Sequence, residues 1–159
     1  MNVLFLCTGN SCRSILAEAT FNALAPAGMR AMSAGSQPVG YVHPRALALL
    51  EREGISTAGY YSKSWHELPA VPELVITVCA SAAGETCPVY LAPVPRAHWG
   101  VADPAKATGS EAEIDAAFDA AYRILRTRIE AFLALPAALA QRDPAAFKAE
   151  LERIGTITA

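Results

Sequence analysis

The chain has 159 residues, 53 % hydrophobic and 18 % charged, with a formal net charge of −2. That length suits one well-buried domain and not two ordinary ones, the composition excludes disorder, and the longest apolar runs fall far below the ~18 residues a membrane span needs. No Lys/Arg cluster could neutralise a row of phosphates, so nucleic acid is excluded as a partner and any bound anion must be small and held locally.

Met1-Asn2 leads directly into an apolar run, so no signal peptide is expected and a cytoplasmic location follows. In that reducing compartment the four cysteines read as catalytic, redox-active or metal-binding rather than as structural disulfides. Val3 to Leu6 reads as a short buried strand, and Ile15 to Leu24 has helical spacing without Gly or Pro. The stretch between them, Cys7-Thr8-Gly9-Asn10-Ser11-Cys12-Arg13-Ser14, is then a tight strand-to-helix loop. Such a loop aims backbone N–H groups and the positive end of a helix dipole at one point, which makes an anion cradle. Cys7 and Arg13, in the spacing Cys-x5-Arg-Ser, can face the same tetrahedral oxyanion. The dipole and Arg13 both favour thiolate, so Cys7 is expected to titrate well below the free value of ~8.5, with Ser14 placed to hydrogen-bond the sulfur. Gly9 and Asn10 stand where unusual backbone angles are needed. The plainer reading is that Cys7 is a small buried hydrophobe at a strand end. A Walker-type loop is excluded by the lack of Gly-Lys-Ser/Thr, and there is no dinucleotide fingerprint.

Further along, Pro26-Ala27-Gly28 is a turn and Met29 to Ala34 a second strand, closed by Gly35. Pro44 opens a helix that stops at Gly54. Residues 55–72 read as a surface segment with one helical turn around Trp65 to Leu68. Leu74 to Val78 is a continuously apolar strand of the parallel-sheet type and ends at Cys79. Ala80 to Thr86 are read as small and flexible, Cys87 follows, and Pro88 to Pro95 reads as extended. Arg96 to Gly100 is a fourth strand, leading to Asp103-Pro104. Ser110 and Glu113 form a capping box before a long helix whose inward face includes Ile114, Phe118, Leu125, Arg128, Ile129 and Phe132. Pro136 stops it, and Pro144 to Ile154 is a last helix. The whole, residues 1–159, is read as one domain, with 135–159 a C-terminal helical extension.

Alternating strands and helices imply an open, mostly parallel sheet with helices on both sides, and in such sheets the ligand lies outside the carboxyl ends of the strands. Cys7, Cys79 and Asp103 each follow a strand end and so share one rim. Asp103 could protonate a leaving oxygen, or Asp103-Pro104 could be a simple turn. Cys79 and Cys87, eight positions apart, would have Cα atoms ~12 Å apart in a helix, whereas a disulfide needs roughly 4.4–6.8 Å, so bridging them requires unwinding. Separate thiols, or a zinc site with Cys7 and Cys12, are the other readings, although the spacing lacks the tight ligand pairs of structural zinc sites. His43, His66 and His98 read as surface or packing residues, and Trp65 and Trp99 as core.

The loop Cys7 to Ser14, Ser33-Ala34-Gly35, the interval from Cys79 to Cys87-Pro88, and His98-Trp99-Gly100 leading to Asp103-Pro104 closely resemble arsenate reductases built on the low-molecular-weight tyrosine phosphatase fold. The resemblance covers about residues 2–135. It implies an α/β domain with a flavodoxin-like four-stranded parallel sheet and helices on both faces. It further implies Cys7 as nucleophile, Arg13 and the amides of Thr8 through Ser14 as the oxyanion site, Asp103 as acid, and Asn10 and Ser14 as loop-shaping groups. Ala105 stands where phosphatases of this fold usually carry tyrosine after the aspartate-proline pair. The only cofactor it implies is a potassium ion near Asn10, Glu18 and Ser33, with Ser64 or a neighbour in place of a further carboxylate ligand.

Because a thiol can reduce As(V) but not P(V), the resemblance implies a relay in which Cys7 attacks arsenate, Cys79 attacks Cys7, and Cys87 then attacks Cys79. Thioredoxin is the expected reductant, since both resolving thiols lie in the chain, and a monomer is the expected state. Cys12 has no part in it beyond loop packing or adventitious oxidation with Cys7. The alternative is a phosphatase using Cys7, Arg13 and Asp103 on phosphate monoesters, and a third reading is a non-enzymatic thiol sensor.

Overall fold

The computed structural model describes residues 1–79 and 88–158. Its centre is a four-stranded, all-parallel sheet in the order β2-β1-β3-β4, made of β1 (Asn2–Leu6), β2 (Arg30–Ala34), β3 (Leu74–Thr77) and β4 (Arg96–His98). Around it stand helices α1 (Arg13–Leu24), α2 (Pro44–Arg52), α3 (Glu111–Leu133), α4 (Leu139–Arg142) and α5 (Pro144–Ile154), with two short 3-10 turns at Val89–Leu91 and Pro104–Lys106. Successive side chains of a strand point to opposite faces. All of Val3, Leu4, Phe5 and Leu6 are buried, so both faces of β1 are covered, which is why this strand is apolar without alternation. On one face Phe5, Phe21, Trp99 and Phe132 form a ring cluster with centroids 5.9–6.2 Å apart, tying β1, α1 and α3 to the exit of β4.

The chain passes from β1 to β2 at one edge and returns across β1 to β3, so the strand order reverses between β1 and β3. The crevice at the carboxyl ends of those two strands is where open α/β sheets take ligands. Leu6 pairs with Thr77 and Thr77 with His98, which brings the segments after all three strands to that end.

The capping box forms as expected: Glu113 N–H donates to Ser110 Oγ at 3.2 Å and Ser110 N–H to Glu113 Oε1 at 3.1 Å. Arg128 lies on the inward face of α3 but serves as a polar tie. It is buried and donates to the carbonyls of Trp99, Gly100 and Ile157 at 2.7, 3.1 and 2.9 Å. Helix α5 receives the Trp99 indole N–H on Leu151 O at 3.0 Å.

Pro88 to Pro95 is not extended. Residues Val89–Leu91 form a 3-10 turn closed by Leu91 N–H to Pro88 O, because Leu91 is fully buried and the chain must fold back to bring it inside. The turn at Trp65 is a single one, closed by Glu67 N–H on Ser64 O, and Trp65 itself is bonded through its N–H to Gly35 O and buried. Helix α4, four residues long, carries no periodicity that would announce it. Residues 80–87, and with them Cys87 and the segment read as flexible, lie outside the described residues.

Candidate active site

The loop after β1 is held from behind by its own carbonyls. Thr8 O, Gly9 O and Ser11 O accept from the N–H groups of Gln37, Val39 and His43 at 3.0, 3.1 and 2.9 Å. In a planar trans peptide the C=O of one residue and the N–H of the next point in opposite directions. Tying those three carbonyls outward therefore turns the amides of Gly9, Asn10 and Cys12 toward the other side of the loop, where α1 begins with Arg13. Asn10, not Gly9, takes the left-handed backbone conformation, with φ 45°. Its fully buried side chain is saturated for the purpose: Oδ1 accepts from Lys63 N–H at 2.9 Å, and Nδ2 donates to Ser14 Oγ at 2.8 Å and to Ser33 Oγ at 3.0 Å. Ser14 thus meets Asn10 rather than the Cys7 sulfur. His43 does more than fill surface: its Nδ1 caps α2 by accepting from Arg45 N–H at 3.1 Å, and its ring packs 4.9 Å from Phe118.

The strand register decides which thiols meet. Val78 N–H donates to Leu6 O, so Cys7 and Thr8 run beside Val78 and Cys79. Thr8 Oγ1 lies 3.7 Å from Cys79 Sγ, so the Cys79 thiol stands at the loop beside Cys7 and acts on its proton. This neighbour, together with burial, pushes the Cys7 thiol up, against the pull of Arg13 and the Gly9 N–H. The expectation of a lowered Cys7 pKa is therefore corrected: a second sulfur beside the first, with burial, outweighs the cation. Burial pushes Cys12 up to about 12, with Asp103 adding to the rise and Arg13 opposing it. Cys12 is buried at the start of α1.

Beyond β4, Trp99 N–H and Val101 N–H bond to Thr77 O and Val78 O and carry Asp103 to the same rim. Arg13 Nη1 donates to Val101 O at 2.8 Å, and Nη2 lies 3.5 Å from Asp103 Oδ2. Asp103 also accepts from Ala105 N–H at 3.0 Å, so it is both the cap of a short turn over Pro104–Lys106 and the partner of Arg13. The turn reading of Asp103-Pro104 is therefore realised, and the same carboxylate stands on the rim beside Arg13. The structure brings Cys7, Arg13, Cys79 and Asp103 together; Cys87 lies outside the described residues. A cavity of about 420 Å³ opens between Arg13, Cys79, His98 and Asp103.

The place expected for potassium is differently made. Ser33 Oγ donates to Glu18 Oε1 at 2.5 Å, while Lys63 Nζ donates to Ser33 O at 3.0 Å and Tyr61 O at 3.1 Å. Ser64 Oγ accepts from His66 N–H instead of facing the cluster. A lysine ammonium already sits on the Ser33 and Tyr61 carbonyls, and the residues present do not fit a resident potassium ion. Nothing in the loop motif pointed to Lys63; its signal, a lone lysine between Tyr61 and Trp65, is one that surface segments share.

A cysteine and an arginine on an amide-lined loop at the switch point of a parallel sheet define an α/β protein built to hold an oxyanion against a thiol. The chain matches the model of the low molecular weight phosphotyrosine protein phosphatase family over residues 2–145 and belongs to that family. It is 36 % identical over 131 residues to an arsenate reductase of Shouchella clausii, covering 82 % of this chain and 93 % of that one. Among solved structures it is similar to an arsenate reductase in the phosphate binding state, with TM-score 0.69, 27 % identity, and 84 % and 96 % of the two chains covered. It is also similar to the low molecular weight protein tyrosine phosphatase from T. tengcongensis, with TM-score 0.64, 25 % identity, and 82 % and 95 % covered.

Proposed function

We propose that this protein reduces arsenate to arsenite, with Cys7, Cys79 and Cys87 as the thiols that supply and pass on the electrons. The observation that carries the reading is the position of the Cys79 thiol, which the β1–β3 register sets beside Cys7 and 3.7 Å from Thr8 Oγ1 of the same loop. A phosphatase needs one thiol there; a reductase needs a second within bonding reach of the first. The arsenate reductases among its relatives support the substrate.

In the first step Arg13 turns from Asp103 to the incoming oxyanion, and Cys7 Sγ bonds to arsenic as an oxygen departs. Asp103 protonates that oxygen and is reprotonated by the proton that left Cys7, so the products are a Cys7–arsenic(V) adduct and water. Cys79 Sγ then attacks Cys7 Sγ. The new S–S bond forms, the S–As bond breaks with its electron pair on arsenic, As(V) becomes As(III), and arsenite leaves after taking up protons. Two thiols have become one disulfide, which accounts for both electrons. Cys87 attacks Cys79, freeing Cys7, and the dithiol of thioredoxin reduces the Cys79–Cys87 disulfide. This chemistry requires a reducing compartment, the cytoplasm, and one copy of the chain.

Arsenite formation in the presence of thioredoxin, thioredoxin reductase and NADPH tests the scheme. Cys7→Ser and Cys79→Ser are expected to make no arsenite, and Cys87→Ser to stop after one turnover. Many turnovers by Cys87→Ser would rule out the three-thiol relay. The Arg13–Asp103 pair at 3.5 Å equally suits phosphate monoester hydrolysis, and fast ester hydrolysis without arsenite would select that reading.

A further inference from the structure

We propose that the Lys63 ammonium is the built-in cation of the polar cluster behind the anion loop, so that the loop keeps its shape without a free monovalent ion. Lys63 and Glu18 are only 5 % and 7 % exposed. A buried charge is tolerated when it is paired and hydrogen-bonded. Lys63 Nζ meets that requirement with two main-chain carbonyls, Ser33 O and Tyr61 O, and with the Tyr61 ring, whose centroid is 4.5 Å away. Glu18, held by the Ser33 hydroxyl, supplies the opposite charge, and Arg30 is the second cation acting on it. Two carbonyl oxygens beside a carboxylate suit a hard monovalent cation, and here an ammonium takes both carbonyls while Glu18 acts on it through space.

The arrangement reaches the loop by two routes. The Lys63 side chain fixes the main chain at Ser33, whose hydroxyl receives Asn10 Nδ2, and the Lys63 backbone N–H donates to Asn10 Oδ1. Asn10 is the loop residue with positive φ, so its orientation sets where the neighbouring amides point. Lys63 is thus a positioning residue, acting through Ser33 and Asn10. A cavity of about 390 Å³ bounded by Arg30, Tyr60 and Tyr61 reaches both Glu18 and Lys63, giving solvent ions a way in if the ammonium is removed. The inference does not depend on whether the substrate is arsenate or a phosphate ester, since it concerns the shape of the loop common to both.

Inorganic phosphate is the probe. Its affinity by calorimetry and the melting temperature are measured in potassium chloride and in N-methyl-D-glucamine chloride at equal ionic strength. The wild-type protein is expected to give the same two values in either salt. Lys63→Ala and Lys63→Met, the latter keeping the aliphatic bulk, are expected to bind phosphate about tenfold more weakly in the glucamine salt and to recover affinity and melting temperature in potassium. Saturable stabilisation of the wild type by potassium would overturn the proposal, even if neither variant folds. Wild-type phosphate affinity in the variants without potassium would overturn it too, as would a loss that potassium does not repair.

Discussion

Gly35 has no space for a side chain: a β-carbon there would stand 2.3 Å from Thr8 O and 2.6 Å from Cys7 O. Both atoms are backbone of the anion loop, so the loop itself must move to admit a methyl group. Gly35→Ala is expected to weaken phosphate binding by about tenfold or more, readable by calorimetry, while β2 and the far core stay intact. The sulfur pair gives a second residue-scale prediction. Because the Cys79 thiol is the largest cause raising Cys7, Cys79→Ala should lower the pH at which Cys7 becomes reactive. Iodoacetamide alkylation of Cys7, followed by mass spectrometry against pH, is expected to shift to lower pH in that variant and to run faster at pH 7; an unchanged profile would refute the assignment of cause.

Among the elements, α3 and α5 contribute in different ways. The Ser110 cap saturates end groups at an exposed position, and Ser110→Ala is expected to cost about 1 kcal/mol in urea unfolding. Leu151 is a buried contact of α5, and its carbonyl receives the indole of fully buried Trp99. Leu151→Ala is expected to cost about 2–5 kcal/mol and to shift tryptophan emission toward longer wavelength as water reaches Trp99. Both helices were read along the chain, the one from its cap and three-to-four spacing, the other as a last short helix over Pro144 to Ile154. Their partners were not: Arg128 on an apolar-spaced face reads as an exception until the carbonyls of Trp99, Gly100 and Ile157 are seen around it.

At the scale of the whole molecule, stability is linked to the proton on the anion loop. Cys7 holds its proton more tightly folded than unfolded, so the folded state binds more protons above the free-thiol value of ~8.5. Its contribution to stability is fully present below that pH and is lost as pH rises toward the raised folded value. Urea midpoints are therefore expected to fall from pH 8 to pH 10, and to fall less in Cys7→Ser. Phosphate, binding only the folded loop, should raise the melting temperature by mass action, with about 1.4 kcal/mol at ten times its dissociation constant.

What local chemistry controls could be read along the chain: the apolar strands, the capped helices, and a loop in which Cys7 and Arg13 stand at a spacing suited to an anion site. Those signals are short-range, carried by neighbours along the chain. Tertiary structure alone decided which distant groups share a point in space. The β1–β3 register put Cys79 against Cys7 and so reversed the expected direction of its pKa, and the pairing of Gly35 with the segment 63–65 carried a lysine ammonium to the oxygens where a potassium ion was expected. Charge and sulfur act through distance, and distance between residues 7 and 79, or 33 and 63, exists only once the sheet has closed.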